Sequence, residues 1–140
     1  MNDSDAYHVS TKAMVFLPDG KMLALHRPNT APARPLEWDL PGGELEIGEE
    51  TEDGVRREIR EEAGLEVTDL KISDVISRFN HLREYWVTIY CTCTAESEAV
   101  TLSFEHDQYE WMLPESFLEM KNSPRNIEAV RRFLDKRSSV

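Results

Sequence analysis

Residues 43 to 65 read GELEIGEETEDGVRREIREEAGL, and the spacing of the charges in this stretch decides the fold. Three glutamates, Glu58, Glu61 and Glu62, follow one another at positions i, i+3 and i+4. On an α-helix of about 3.6 residues per turn, this spacing places all three carboxylates on one face. Like charges at these intervals repel one another, so the cluster asks for a compensating cation. Carboxylate oxygens suit a hard divalent ion, Mg²⁺ or Mn²⁺ before Zn²⁺.

The same stretch predicts a helix from Thr51 to Ala63. Thr51 is the expected N-cap, acidic residues fill the first turn, and Gly64 suits the left-handed position that follows a helix. Gly54, inside this helix, costs on the order of 1 kcal/mol relative to alanine. No reason for a glycine at this position is evident from the sequence.

The stretch resembles the Nudix box, the signature of the Nudix hydrolases, which cleave nucleoside diphosphates linked to a further group X. The defined positions are all filled, by Gly43, Glu49, Arg57, Glu58, Ile59, Glu61, Glu62, Gly64 and Leu65. The resemblance implies a loop, a helix and a loop whose carboxylates hold the metal ions that bridge a pyrophosphate. The box covers about one sixth of the chain.

The metal ligands follow from the resemblance, position by position. Glu58, Glu61 and Glu62 are the implied ligands, with Glu58 either a ligand or a base that activates water. Glu49 lies where the family supports or supplies a ligand, and the carbonyl of Gly43 is an implied backbone ligand. A solvated acidic helix face is the alternative interpretation, which the complete box makes the weaker one.

Two further residues are candidates for catalysis. Arg57 stays protonated and can orient a glutamate by paired hydrogen bonds, although an ion pair with Asp53 or Glu61 is the alternative. Nudix enzymes take the base that activates water either from the box or from a later loop. Glu105, in the polar segment SFEHDQYEW, is the candidate for the later position, and its competitors are Glu110 and Glu98.

Basic and aromatic residues outside the box are candidates for binding the substrate. Arg27 resembles the basic residue that many family members place against the phosphates, while a solvent-facing strand end is the alternative. Arg78 can add to the same positive charge. Stacking on a nucleobase is worth roughly 1 to 3 kcal/mol, and the aromatic candidates are Trp38, Phe79 and Trp86.

Apolar and β-branched runs on both sides of the box predict a sheet. A loop is expected at 28–37, a last helix from Pro124 to about Lys136, and strands at 8–16, 22–26, 38–43, 65–79, 83–95 and 108–113. Strands interrupted by one helix and closed by a second indicate a layered α/β protein. The resemblance narrows this to the Nudix fold, a mixed β-sheet sandwiched between α-helices.

Composition restricts the class of protein. The 140 residues are most simply a single domain, 1–140, and 40% hydrophobic with 31% charged residues is ordinary for a globular protein. No apolar run approaches the roughly 18 residues that span a bilayer, and the N-terminus lacks the features of a signal peptide. We therefore expect a cytoplasmic protein without a membrane partner. Cys91 and Cys93 fit neither a redox nor a zinc motif and are expected to be packing thiols.

The formal net charge of −11 argues against a nucleic acid polymer as partner, because such partners bind basic surfaces. The same charge repels a free polyphosphate, so an anionic substrate must arrive with metal or meet a local basic rim. Mg²⁺ is therefore the expected cofactor, with Mn²⁺ as a substitute. A homodimer stays open, because one sequence presents no self-complementary patch.

The identity of the nucleotide is the least determined feature. His81 stands where ADP-ribose hydrolases of the family have proline, and Tyr85 falls late for the dinucleoside polyphosphate group. The short chain and the segment WDLPGG resemble compact members that act on nucleoside triphosphates, standard or oxidised. The alternatives are an ADP-ribose or nucleotide-sugar pyrophosphatase and a non-catalytic nucleotide-binding regulatory domain, although the latter is expected to lose box glutamates.

Overall fold

In the computed structural model, which describes residues 6–139, a seven-stranded mixed sheet forms the centre of the protein. Its strands are β1 (Tyr7–Phe16), β2 (Met22–His26), β3 (Trp38–Asp39), β4 (Gly42–Glu44), β5 (Val67–Phe79), β6 (Tyr85–Ala95) and β7 (Gln108–Met112). The helices are α1 (Thr51–Ala63), α2 (Pro114–Glu119) and α3 (Pro124–Ser138). The strand order is β3-β2-β1-β6-β5, with β4 beside β1 and β7 beside β2.

Strand β1 connects the box to the rest of the sheet. It runs parallel to β6 along its whole length, from Tyr7 beside Tyr85 to Phe16 beside Thr94. Its other edge is shared, because β4 pairs with residues 10–12 while β2 pairs only at Phe16. Gly43 of the box and its neighbour Gly42 therefore pair directly with β1 at the centre of the sheet.

Hydrophobic clusters cover both faces of this sheet. On one face, Val55 and Ile59 of α1 belong to a cluster with the buried free thiols Cys91 and Cys93. On the other face, Ala129 and Val130 of α3 belong to a cluster whose further members include Met14, Met22, Leu40, Ile76 and Tyr90. Helices on both faces of a mixed sheet confirm the expected α/β layering. Among residues 6–139, no helix combines the length and apolarity needed to cross a membrane.

The predicted α1 forms with its expected bounds, but its cap differs. Gly64 adopts the left-handed conformation, with φ 65°, and donates its N–H to the carbonyl of Arg60. The N-cap is Glu50 rather than Thr51, and the Glu50 side chain makes no capping hydrogen bond. The prediction of Thr51 as the cap was therefore wrong, because the chain turns into the helix one residue earlier.

The segment WDLPGG forms two short strands instead of one. Trp38 and Asp39 pair with β2, whereas Gly42 and Gly43 pair with β1. Pro41 lies between them, and its carbonyl accepts the N–H of Ala13 at 2.8 Å. The segment therefore crosses from one strand to the next, since a proline cannot donate to a continuous ladder.

Helix α2 was not expected from the sequence. Pro114 begins it, and its six residues are too few to show an apolar period. The long strands begin two residues later than predicted, at Val67 and Tyr85, and β7 ends at Met112 rather than at 113. Residues 28–37 contain no helix or strand, as expected.

Candidate active site

Helix α1 places two of its carboxylates against Gly42 and Gly43 of β4. Glu62 is buried and accepts the N–H of Gly42 at 3.1 Å. Glu58 lies against Gly43 so closely that a Cβ added there would come within 2.5 Å of Glu58 Oε1. Glu61 is the exposed member of the three, with 59% of its side chain accessible. Gly43 thus makes room for Glu58, whereas Gly42 donates its N–H to Glu62 and leaves space for the backbone of β1.

Arg57 connects the glutamates of the box to one another. Its Nε and Nη2 donate to Oε2 and Oε1 of Glu49 at 2.7 and 3.0 Å. Its Nη1 donates to Glu58 Oε1 at 2.9 Å and to Glu61 Oε2 at 3.3 Å. The hydrogen bond to Glu49 is the main cause that raises the pKa of Arg57 and lowers that of Glu49. The structure therefore contains the paired contacts of an orienting residue, together with the ion pair to Glu61.

Gly54 is explained by the packing of the box loop on α1. A Cβ at this position would come within 2.5 Å of Leu45 Cδ2 and 2.9 Å of Glu49 Oε1. Glycine therefore lets the loop approach the helix, which brings Glu49 within reach of Arg57. Glycine lowers the stability of the helix at this position, and the contact between the loop and the helix offsets that cost.

The local electrostatics favour binding of a cation. Burial raises the pKa of Glu62 to about 8, although Lys12 and the N–H of Gly42 act in the opposite direction. Burial also raises the pKa of Glu58, and its hydrogen bond from Arg57 opposes the effect. Neighbouring carboxylates that are desolvated are stabilised by a divalent ion. The oxygen donors fit Mg²⁺ or Mn²⁺.

The three box carboxylates do not, however, converge on a single point. Within residues 6–139, no group of three or more His, Cys, Asp or Glu side chains is arranged to hold an ion. Glu58 and Glu61 face Arg57, whereas Glu62 faces the backbone of Gly42. Joint coordination therefore requires some of these carboxylates to exchange their present partners.

A second charged cluster surrounds Asp39, at the end of β3. Its Oδ2 accepts from Lys12 Nζ at 2.9 Å and from Arg27 Nη1 at 3.4 Å, and its Oδ1 accepts from Asn126 Nδ2 at 2.8 Å. Burial alone would raise the pKa of Asp39, but the charge of Lys12 and the hydrogen bonds lower it to about 2. Because Lys12 also attracts Glu62, this cluster borders the box.

Sequence reasoning missed Lys12, Asp39 and Asn126. The signal available for Lys12 was a lone cation within the apolar strand VSTKAMVF. Asn126 interrupts the apolar face of α3 in the same way and is 1% exposed. Polar residues at positions expected to be buried are informative, because burial requires a partner.

Two predicted substrate residues meet at a small cleft beside this cluster. The cleft has a volume of about 20 Å³ and is lined by Arg27, Arg34, Glu37, Trp38, Asp39, Ser123, Arg125 and Asn126. Trp38 also contacts His26 edge-on, with ring centroids 5.0 Å apart. Arg27 and Trp38 are thus brought together.

The other predicted substrate residues divide between the two faces of the sheet. Arg78 and Trp86 are cross-strand partners, Arg78 donates to Glu128 at 2.6 Å, and Trp86 stacks on His8 with ring centroids 4.7 Å apart. Phe79, the next residue along β5, points to the opposite face and is 65% exposed. A groove of about 570 Å³ beside α3 includes Arg78, but none of the box residues lines it. The smaller cleft, in contrast, adjoins the charged cluster around Asp39.

Glu105 lies in the loop between β6 and β7, which is tied to the end of α1. The N–H of Ser103 donates to the carbonyl of Glu62 at 3.4 Å, and Ser103 Oγ accepts from the N–H of Glu105 at 3.3 Å. The charge of Glu105 is one of the causes that raise the pKa of Glu58. Neither Glu98 nor Glu110 is among those causes. Of the three candidate bases, Glu105 is therefore the one linked to the box.

Sequence comparison identifies relatives over most of the chain. The NUDIX domain family matches residues 6–133. A MutT-like protein of Streptomyces ambofaciens is 28% identical over 125 residues, which are 89% of this chain and 74% of the relative. The nucleoside triphosphatase NudI of Escherichia coli O17:K52:H18 is 33% identical over 110 residues, 71% of this chain and 78% of the relative.

Solved structures share the fold. The MutT protein of Methanosarcina mazei Go1 has a TM-score of 0.80 at 28% identity, covering 94% of this chain and 95% of that one. The NUDIX domain of Shewanella oneidensis NrtR, solved with ADP ribose, has a TM-score of 0.79 at 18% identity, covering 94% and 89%, and supports the fold alone. The match to the NUDIX family includes the carboxylate helix, Arg57 and the glycine turn, so this chain belongs to the Nudix hydrolase family as a pyrophosphohydrolase.

Proposed function

We propose that the protein is a metal-dependent hydrolase that cleaves a pyrophosphate bond of a nucleoside triphosphate, standard or oxidised. The observation that carries the proposal is the desolvated carboxylate of Glu62 on α1, next to the cations Lys12 and Arg27 around Asp39. A triphosphate that binds with its metal ion needs carboxylates for the ion and cationic side chains for the phosphates next to each other. The relative named nucleoside triphosphatase NudI supports this substrate class.

The ligands proposed for Mg²⁺, with Mn²⁺ as a substitute, are the side chains of Glu49, Glu58, Glu61 and Glu62 and the carbonyl of Gly43. When bound, such an ion neutralises phosphate charge and makes water a better nucleophile near neutral pH. The raised pKa values of Glu58 and Glu62 fit this donor set, since a bound cation offsets the cost of burying their charge, which is the main cause that raises them.

The protein side chains take the remaining roles. Arg57 orients Glu58 and Glu49, and Arg27 attracts the phosphates. Glu105 accepts the proton of the attacking water, whose oxygen bonds to one phosphorus while the bridging P–O bond breaks and the departing phosphate keeps the electron pair. The nucleoside is proposed to contact Trp38, with Arg78 and Trp86 as further candidates. Phe79 is the weakest candidate for contact with the nucleoside, because it lies on the sheet face opposite to Arg78 and Trp86.

The test is the release of phosphate or pyrophosphate from nucleoside triphosphates, ADP-ribose, nucleotide sugars and dinucleoside polyphosphates, with Mg²⁺, with Mn²⁺ and with chelator. We expect metal-dependent cleavage of the triphosphates. Glu62→Gln should abolish turnover, whereas the exposed Glu66→Gln should retain it. Full turnover by Glu62→Gln would overturn the ligand assignment.

The same panel separates the alternatives. Cleavage confined to ADP-ribose or nucleotide sugars would replace the triphosphate proposal by that class. If folded, metal-loaded protein cleaves none of these substrates, the result would favour a nucleotide-binding regulatory domain. A cytoplasmic location, the lack of nucleic acid and membrane partners, the single domain and the oligomeric state stay predictions from the sequence.

A further inference from the structure

The cleft beside Trp38 presents acceptors that are already occupied. Asp39 accepts four hydrogen bonds, from Lys12 and Arg27 on Oδ2 and from Asn126 and the N–H of Leu40 on Oδ1. Asn126 in turn accepts the hydroxyl proton of Tyr90 at 2.6 Å. A ligand that offers a hydrogen-bond donor therefore competes with protein donors for these oxygens.

The remaining acidic group of the cleft is also engaged. Among the described residues that line the cleft, Glu37 is the other carboxylate, and its Oε1 accepts from Arg34 Nη1 at 3.0 Å. Of the Glu37 side chain, 13% is accessible. Binding a ligand amino group at the cleft would thus require this ion pair to rearrange.

Arg125, in contrast, has a donor left over. It lies in the first turn of α3 and lines the cleft, and its Nη1 donates to Thr88 Oγ1 at 3.1 Å. Its Nε is buried and has no hydrogen-bond partner within residues 6–139. An unpaired buried donor costs about 1 to 3 kcal/mol, so an acceptor supplied by a ligand at the cleft would remove that cost.

The space at the cleft matches a single acceptor atom. A volume of about 20 Å³ exceeds the roughly 10 to 15 Å³ that one water-sized group requires, and it is too small for a ring system. The edge of a base with one projecting oxygen fits this description, while its ring lies at the mouth of the cleft, against Trp38.

We propose that Arg125 selects the nucleobase of the substrate by donating a hydrogen bond to a carbonyl oxygen on the base edge. This inference rests on the proposed nucleotide hydrolase function and names its substrate class. Guanine, uracil and thymine carry a carbonyl where adenine and cytosine carry an amino group. An amino group facing Arg125 leaves two donors opposed, which a polar site rejects strongly.

The test compares kcat/KM for two matched pairs, dGTP with dATP and dUTP with dCTP, in wild type and in Arg125→Met. We expect wild type to prefer the carbonyl base of each pair by about tenfold or more, the range of one good base-edge contact. Arg125→Met keeps an unbranched stem that reaches as far as the position of Nε and removes every donor of the guanidinium, so the preference should fall close to one. The control is Arg131→Met, an exposed residue of the same helix, which should keep the wild-type preference.

A second measurement separates this inference from the hydrolase function. Titration with dGMP, dAMP, dUMP and dCMP, followed by NMR of the Trp38 indole, reports base preference without cleavage. Tighter binding of dGMP and dUMP that is lost in Arg125→Met supports the role of Arg125 even if no triphosphate is hydrolysed. Equal affinity for both members of each pair, or a preference that survives in folded Arg125→Met, overturns it. Equal affinity in wild type overturns the proposal even if the variant does not fold.

Discussion

Arg57 binds Glu49 with two parallel hydrogen bonds, from Nε to Oε2 at 2.7 Å and from Nη2 to Oε1 at 3.0 Å. Glu49 precedes α1, whereas Glu58, which accepts from the same guanidinium at 2.9 Å, lies within it. One side chain therefore holds the box loop and the helix in a fixed relation. The planar fork of arginine is what makes both contacts possible at once.

Replacing Arg57 by lysine should lower kcat/KM by about 100-fold, because a single ammonium cannot hold Glu49 and Glu58 together and misplacement near 1 Å has costs of that size. Steady-state kinetics at saturating Mg²⁺ measures the effect. Arg60→Lys is the matched control, since Arg60 pairs with the exposed Glu66. Wild-type kinetics in Arg57→Lys would show that Arg57 is a surface ion-pair residue.

Gly43 should not tolerate a side chain. In Gly43→Ala the new Cβ would come within 2.5 Å of Glu58 Oε1, so the carboxylate must move away from the position it needs. We expect activity to fall by at least about tenfold and the Mg²⁺ concentration for half-maximal rate to rise. Gly20→Ala is the control, because its Cβ meets nothing within 4 Å and its φ of 91° strains only the hairpin turn. Unchanged metal dependence in Gly43→Ala would argue against this position of Glu58.

Glu62→Gln should be inactive and yet more stable without metal at alkaline pH. Burial raises the pKa of Glu62 from 4.5 to about 8 in the folded protein, so folding favours the protonated form. Its contribution to stability is complete below pH 4.5 and is lost as the pH rises through 8. Glutamine cannot ionise, so the variant should exceed wild type at pH 9 by on the order of a few kcal/mol.

Urea unfolding in chelator at pH 5 and pH 9 measures this difference. The two proteins should have similar free energies of unfolding at pH 5 and diverge at pH 9. If the difference in free energy of unfolding between wild type and variant is the same at pH 5 and at pH 9, Glu62 is not desolvated.

The carboxylate helix could be predicted because its information is local. The spacing of Glu58, Glu61 and Glu62 lies within two turns, and the expected bounds of α1 agree with the structure. The sequence predicted that Arg57 can orient a glutamate without naming which one, and in the structure Arg57 pairs with Glu49, eight residues earlier. Local patterns of this kind predict part of the site, because the helix that they specify carries the site residues.

The Asp39 cluster could not be predicted because its members are distant in sequence. Asp39 meets Lys12 across 27 residues and Asn126 across 87, contacts that depend on strand order and on the docking of α3. Arg78 and Phe79 were separate candidates for binding the substrate, and they lie on opposite faces of the sheet because neighbouring residues of a strand alternate.

Asp39→Asn should change how the free energy of unfolding depends on pH in the acidic range. Folding lowers the pKa of Asp39 from 3.8 to about 2, chiefly through Lys12 against the cost of burial, so its contribution is present above pH 3.8 and is lost as the pH falls through 2. Wild type should therefore lose about 2 kcal/mol from this group between pH 4 and pH 2, and the variant should not. At pH 7 the variant should be about 3 kcal/mol less stable, since Lys12 loses its partner. Asp135→Asn, at an exposed position on α3, is the control, and an identical acid profile in both variants would contradict the assignment.

Glu105→Gln should lower kcat by about 100-fold or more while KM stays near its wild-type value, because a general base acts in the transition state and not on binding. Glu98→Gln is the matched control, as Glu98 lies in the same connection between β6 and β7 but is not among the causes of the Glu58 pKa shift. A kcat near the wild-type value in Glu105→Gln, together with a large fall of kcat in Glu58→Gln, would instead assign the base to the box.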